Sequence, residues 1–383
     1  MKPVGIGLIG SGFMGRTSAE AVTRYLQGAK LIAVTRGSRA ASLAAEYGVE
    51  SEGDLDALLS RSDIDAVMIS TPHAAHADEA VTAAKAGKHI LLDKPMATTV
   101  EECDRILDAA QASGVNVMIM FGQRFRDCNI EARRLVREGR IGKLTMIQEL
   151  ALASGGLATL PAWQSLPENV GIFVGHAIHN VDRIRWITGA EIVSVSAQMR
   201  RDEASGNEVS TMALLGLSNG AMATIWASWE IATPGFPRSA CAAWYAGDQG
   251  NIDLDAYGEL RLGEKKDWSV MAVQPPIDWA GDGALSPVRM ESYRRQHQEF
   301  IDSIREGRAP SVTGEDGRAA VEVAAAAYKS AAENRIIHLP AEKKWDGARD
   351  TNERVRPIDN EERHRPADCA NSSRHGTRGR ERH

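Results

Sequence analysis

Residues 4–15, VGIGLIGSGFMG, restrict this chain to a narrow set of folds. Val4 to Ile9 is a short apolar run, the pattern of a strand buried on both faces. Gly10-Ser11-Gly12-Phe13-Met14-Gly15 follows at once, and a helical stretch runs from Arg16 to Tyr25. A GxGxxG loop that leaves a strand and opens a helix can cradle a pyrophosphate. Gly10 allows the tight turn, Gly12 lets a ligand approach the backbone, and Gly15 lets the helix pack close to the strand. The helix N-terminus then offers free N–H groups and the positive end of its dipole. The bland alternative is a glycine turn with no ligand, and the strand–helix setting argues against it.

The pattern continues as alternating strands and helices. Strands are expected at Leu31–Val34, Ala66–Ser70, His89–Leu92 and Val117–Met120. Helices are expected at Ser42–Tyr47, Asp54–Ser60, Ala74–Ala86 and Glu101–Ala112. Such alternation implies right-handed parallel crossovers and a doubly wound sheet. Beyond residue 124 the pattern changes. A helix at Asn129–Arg137, a long strand at Leu144–Ala153 and a helix at Gly175–Ile187 precede strands at Ile192–Met199, Val209–Leu217, Ala221–Trp229 and Ser239–Ala246. Ser218-Asn219-Gly220 joins the middle two, an Asn-Gly hairpin signal. Hairpin-linked strands imply an antiparallel or mixed sheet in a second, α+β domain. Late helices are expected at Tyr293–Glu306 and Arg318–Asn334. The divisions that follow are 1–124, 125–342 and a polar, Arg-rich tail at 343–383, expected to be disordered.

Composition excludes several classes. Lys plus Arg is 45 against 51 Asp plus Glu, a net charge of -6, which argues against nucleic-acid binding by bulk charge. No apolar run is long enough to span a bilayer, and the N-terminus lacks the features of a signal peptide. The cysteines at 103, 128, 241 and 369 form no CxxC pair, so reduced thiols in a cytoplasmic protein are expected.

The end of the second strand bears on which dinucleotide fits. An acid there would bind a ribose 2′-hydroxyl and favour NAD. The sequence instead reads Thr35-Arg36-Gly37-Ser38-Arg39. A guanidinium at Arg36 or Arg39 with the Ser38 hydroxyl suits a 2′-phosphate, so NADP(H) is the expected cofactor, with NAD(H) the alternative.

GLIGSGFMG, STPHAAHADEAVTAAKAGKHILLDKP, GQRF and HAIHNVDRIRWITG, in this order and spacing, resemble the Gfo/Idh/MocA family of oxidoreductases over roughly residues 4 to 340. The resemblance implies an N-terminal Rossmann domain, a C-terminal α/β domain with an open, largely antiparallel sheet, and hydride transfer between NAD or NADP and a secondary alcohol of a sugar, polyol or related compound, without a metal. Asp93-Lys94-Pro95 stands where the family usually has Glu-Lys-Pro. By resemblance Lys94 is catalytic, hydrogen-bonding the substrate oxygen, and the bond to Pro95 is a candidate cis peptide. Gly175-His176-Ala177-Ile178-His179-Asn180-Val181-Asp182 resembles the family's Asp-x-Gly-x-His-x-x-Asp helix, with Gly at 175 in place of the first carboxylate. His179 is then the second catalytic residue, a proton acceptor. Asp182 would orient its ring or bind a substrate hydroxyl, and His176 would fill the space the missing Asp leaves.

Thr71-Pro72-His73 is similar to the family's Thr-Pro-Asn loop beside the nicotinamide, and His76 matches a family histidine that fixes it. Phe13, Met14 and Asp93 join the cofactor set. Arg124 would anchor substrate or cofactor, or pin a hinge, and Trp163 would line a substrate pocket. Trp226 and Trp229 read as sheet packing or interface. His73/His76 and His176/His179 have zinc-like spacing, but a metal is not expected. An open apolar sheet face implies a homodimer or homotetramer. Against the polyol dehydrogenase stand three rivals. They are a dehydrogenase of ring hemiacetals or dihydrodiols in aromatic catabolism, a non-catalytic dinucleotide-binding regulator, and a lyase or hydrolase with tightly held NAD.

Overall fold

A computed structural model describes residues 2–156, 160–169, 171–236, 241–278 and 281–340. The expected tail at 343–383 lies outside them.

The first sheet contains β1 (Val4–Ile9), β2 (Ala29–Thr35), β3 (Glu50–Ser51), β4 (Ala66–Ile69), β5 (His89–Leu92) and β6 (Val117–Ile119), in the order β3-β2-β1-β4-β5-β6. Every pairing is parallel. The crossovers carry α1 (Phe13–Arg24), α2 (Ala40–Tyr47), α3 (Leu55–Leu59), α4 (His76–Lys85) and α5 (Val100–Ser113). β1, β4 and β6 are buried along their whole length because helices cover the sheet. The strand order reverses at β1, so the crevice at the carboxyl ends of β1 and β4 is the topological switch point. Helix boundaries follow local chemistry. Thr99 and Glu102 close a capping box at the start of α5, and Gly114, in the left-handed region at φ 66°, ends it.

The second half begins with α6 (Asp127–Arg137), β7 (Leu144–Ser154) and α7 (Ile178–Thr188). Then follow β8 (Ile192–Arg201), β9 (Glu208–Leu217), β10 (Met222–Ile231), β11 (Ala242–Gly247), β12 (Gly250–Asp255), β13 (Glu259–Glu264) and β14 (Asp267–Val273). Helices α8 (Pro287–Glu306) and α9 (Gly314–Glu333) and a two-residue strand, β15 (Ile337–His338), complete it. The nine-stranded sheet has the order β14-β13-β12-β11-β7-β10-β9-β8-β15. It is antiparallel except that β7 and β10 run parallel. The Asn-Gly turn joins β9 to β10 as expected.

Strands β12 to β14 were not anticipated. Charged residues break up the apolar runs of β12 and β13, where the alternation of apolar and polar residues is the signal that could have found them. Helix α9 packs on both halves: it lies on α5 and β6 of the first and on β8 of the second. One apolar core therefore runs through both sheets, with Phe121 and Phe300 fully buried in it.

Candidate active site

The carboxyl ends of β1 and β4, the loop after β5 and one side of α7 enclose a cavity of about 640 Å³. Gly10, Ser11, Gly12, Phe13 and Met14 form one end. Gly10 adopts φ 111°, and a Cβ there would stand 2.5 Å from the Ser70 carbonyl oxygen. A Cβ on Gly15 would stand 2.1 Å from the Gly10 carbonyl oxygen, so the turn closes only with glycine at both positions. Gly12 faces open space instead, where a Cβ would meet only Arg39 Nη2 at 3.9 Å. Helix α1 starts at this point with no capping side chain and no acidic residue in its first turn. Its N-terminal donors and dipole are thus left for an anion from outside the helix. These features fit a pyrophosphate held across the loop.

Gly37, Ser38 and Arg39 line the same end. Arg36, expected beside them, does not line the cavity. Its backbone is left-handed at φ 64°, and its Nε lies 3.4 Å from Glu79 Oε1. Glu79 also accepts a hydrogen bond from the Thr71 hydroxyl at 2.6 Å, so the arginine is tied to the loop after β4. Of the two expected cations, Arg39 is the one that reaches the cavity.

Lys94 stands at the middle of the cavity. Its peptide bond to Pro95 is cis. Its Nζ donates to the Gly175 carbonyl oxygen at 2.6 Å, and its backbone N–H donates to Asp93 Oδ1 at 2.8 Å. Burial lowers the lysine pKa, opposed by the Asp93 charge, and burial raises that of Asp93. Thr71, Pro72 and His73 form the wall beside it. His73 Nδ1 lies 2.8 Å from the Asn169 carbonyl oxygen, and its ring stands edge-on to Trp163 at 4.9 Å. Burial, then the Lys94 charge, lowers the His73 pKa to about 2. His76 is fully buried and lies outside the cavity lining, with its ring nitrogens 2.8 and 2.9 Å from the carbonyl oxygens of Pro95 and Thr71. It braces the two loops against each other from behind the cavity wall.

Residues 173–177 wind as a π-turn before α7, where a regular helix was expected from Gly175. The wider turn presents the Gly175 carbonyl to Lys94 and turns His176 to the cavity, its ring edge-on to Trp229 at 6.4 Å. A Cβ at Gly175 would touch only His73 and Trp229, both at 3.9 Å, so there is room for the side chain the resemblance led one to expect. His179 also lines the cavity, its ring 6.0 Å from that of Phe121. Its Nδ1 is buried and finds no hydrogen-bond partner among the described residues. Burial first, then the charge of Lys94, holds His179 well below the ordinary imidazole range, and the same two causes lower His176 to about 4. Both rings are neutral near pH 7 and have an unprotonated nitrogen able to accept a proton.

Asp182 is the largest departure from expectation. It is fully buried, away from the cavity, and forms a two-point pair with Arg124, Nε to Oδ2 at 2.9 Å and Nη2 to Oδ1 at 2.5 Å. Arg124 also pairs with Asp316 at 3.1 Å and donates to the Ser311 carbonyl. Neither Asp182 nor Arg124 lines the cavity; together they bolt α7 to α9 and to the segment after β6. Burial opposes the Arg124 charge, but the two carboxylates raise its pKa above the ordinary value.

Residues beyond those expected also line the cavity: Arg126, Asn180, Arg183, Cys241, Tyr257 and Tyr293. Behind them Glu149 accepts hydrogen bonds from Asn180 at 2.8 Å and Tyr245 at 2.7 Å, and pairs with Arg183. This buried network sets the rotation of α7 and hence where His179 points. Asn180 and Arg183 lie within the HAIHNVDRIRWITG motif, but no sequence motif marks the others, which come from separate segments.

Among the described residues, no group of three or more His, Cys, Asp or Glu could hold a metal ion, none of the three cysteines is in a disulfide, and no helix is long and apolar enough to cross a membrane.

Residues 4–121 match the pattern of an oxidoreductase family's NAD-binding Rossmann fold, and residues 133–339 match that of the same family's C-terminal alpha/beta domain. Inositol 2-dehydrogenase of Rhizobium meliloti is 29% identical, covering 88% of this chain and 99% of that protein. The 2,7-anhydro-N-acetylneuraminate hydratase of Mediterraneibacter gnavus is 26% identical, covering 88% of this chain and 97% of that protein. A crystal structure of scyllo-inositol dehydrogenase from Lactobacillus casei with bound NAD(H) and scyllo-inositol is 26% identical, with a TM-score of 0.73, and covers 88% and 99% of the two chains.

Proposed function

The chain belongs to the Gfo/Idh/MocA oxidoreductase family, and from that premise we propose that it oxidises a secondary alcohol of a cyclic polyol or sugar, or reduces the matching ketone. It is an NAD(P)-dependent oxidoreductase acting on CH–OH groups, as are its inositol dehydrogenase relatives. The observation that carries the reading is that one cavity holds both the glycine loop and the Lys94–His179 pair. The bound nicotinamide supplies the hydride acceptor. Gly10 to Gly15 and the start of α1 hold the pyrophosphate. Ser38 and Arg39 face the adenosine end, where a hydroxyl and a guanidinium support NADP(H) as the preferred dinucleotide.

At the other end the ammonium of Lys94 hydrogen-bonds the substrate oxygen. It is aimed there because its Nζ donates a hydrogen bond to the Gly175 carbonyl oxygen and its own backbone N–H is held by the Asp93 carboxylate. Neutral His179 accepts the hydroxyl proton as the hydride leaves, and returns it in reduction. His176, His73 and Trp163 wall the ring of the substrate. A ring dihydrodiol or hemiacetal is the second reading, favoured by Gly175, which places a carbonyl where a carboxylate would select a further hydroxyl. The protein works as a homodimer or homotetramer through the exposed face of its second sheet.

The test is to supply NAD⁺ or NADP⁺ with inositols, cyclic sugars and ring dihydrodiols, and to follow the absorbance of the reduced nicotinamide. Turnover with any of these classes supports the reading. Tight dinucleotide binding with no turnover on any of them would favour the regulator instead.

A further inference from the structure

We propose that Arg126 anchors a carboxylate on the substrate, so that the compound this enzyme prefers is a hydroxylated ring acid and not a neutral polyol. The proposal rests on the dehydrogenase reading above and deepens it.

Four arginines are buried among the described residues; Arg289 stacks on Phe13 and Tyr293 and does not line the cavity, and the other three are partnered differently. Arg124 is held by Asp182 and Asp316, and Arg183 by Glu149. Arg126 is only 5% exposed, yet no carboxylate pairs with it among the described residues. Its Nη1 donates to the neutral Gln274 Oε1 at 2.8 Å, and its guanidinium lies over the Tyr257 ring, 4.0 Å from the centroid. These two contacts clamp the group without neutralising it. A buried guanidinium with no counter-charge is costly unless an anion meets it. Its planar fork presents the remaining donors to the cavity it lines, the geometry that suits a carboxylate.

The rest of the lining points the same way. Asp93 is the only carboxylate among the described lining residues, and it belongs to Lys94. Arg183 lines the cavity as well, and its buried Nη1 finds no partner among the described residues. A ring whose hydroxyl sits at Lys94 and His179 would thus reach Arg126 with a substituent at its far side. An acid there would be matched, and a hydroxyl would leave the charge uncompensated.

The experiment uses the full chain loaded with NADPH, the dinucleotide proposed as preferred. Calorimetric titrations compare shikimate, a ring with hydroxyls and a carboxylate, with its carboxamide, which is neutral and nearly the same shape. The acid should bind about tenfold or more tightly than the amide. Arg126→Gln should abolish that preference and leave NADPH affinity unchanged, and Arg126→Lys should restore part of it. Equal binding of acid and amide, or no binding of the acid, overturns the proposal while NADPH binding upholds the dinucleotide site. An Arg126→Gln variant that loses acid and amide alike would make the residue structural and also overturn it. Should that variant fail to fold, the wild-type comparison and the lysine variant decide. Failure of the wild type to bind either NADH or NADPH would instead overturn the dehydrogenase reading itself.

Discussion

Lys94 carries its charge in a half-buried position, with one proton committed to a carbonyl and a buried carboxylate beside its backbone. Burial therefore works against the ammonium and against imidazolium at His179. The consequence for pH follows by sign. A lowered histidine pKa keeps the proton acceptor neutral through the ordinary imidazole range near pH ~6.5, so alcohol oxidation should show no acid limb there. A lowered lysine pKa brings the loss of the ammonium, and of its hydrogen bond to the substrate oxygen, below the ordinary value of about 10.4, so the alkaline limb should move down. A kcat/KM profile with an acid limb near pH 6.5 would show His179 titrating as an ordinary imidazole. Lys94→Ala should lower kcat by about a hundredfold or more and remove the alkaline limb, with dinucleotide affinity unchanged in a binding titration. Near-normal kcat would take Lys94 out of the reaction. The types of these residues and their distance along the chain were legible in the sequence. What was not legible was the direction of a side chain: Arg36 turns to Glu79 while Arg39, three residues on, reaches the cavity.

At the scale of elements, strand β1, its glycine loop and helix α1 were legible because local sterics decide them. Gly10 and Gly15 leave no room for a Cβ, and an apolar six-residue run has few alternatives to a buried strand. Helix α7 was legible as a helix, but its entry was not. The π-turn at 173–177 depends on what the turn is packed against, and periodicity does not report that. The Asp182–Arg124 pair has the same origin, since its partners come from α7, the segment after β6, and α9. It follows that Asp182→Ala should act on stability. The variant leaves the buried guanidinium with Asp316 alone and should cost about 3 kcal/mol, read as a lower urea midpoint. A variant with wild-type stability and a raised KM would return Asp182 to the substrate.

At the scale of the whole molecule, helices α6, α7 and α9 cover one face of the nine-stranded sheet. The other face presents Met212 at 57%, Met222 at 51% and Trp226 at 41% exposure. These are cross-strand neighbours: Trp226 pairs with Met212, and Met222 with Met146, which is also exposed. A contiguous apolar patch of this kind marks an interface. Trp226→Glu should therefore convert the assembly to monomers in sedimentation velocity, with an unchanged far-ultraviolet circular dichroism spectrum. A wild-type chain that sediments as a monomer would remove the interface. The sequence by itself determined the two-sheet architecture, the dinucleotide loop and the family, because each is written in local periodicity or in short motifs whose geometry is nearly forced. Tertiary structure alone decided which of the charged residues belong to the site. Arg124 and Arg126 lie two residues apart, yet Arg124 is locked in a buried pair with Asp182 and Arg126 is left to face the cavity. That choice is made by burial and by partners far away in sequence, since a buried charge goes wherever the folded chain supplies its counter-charge.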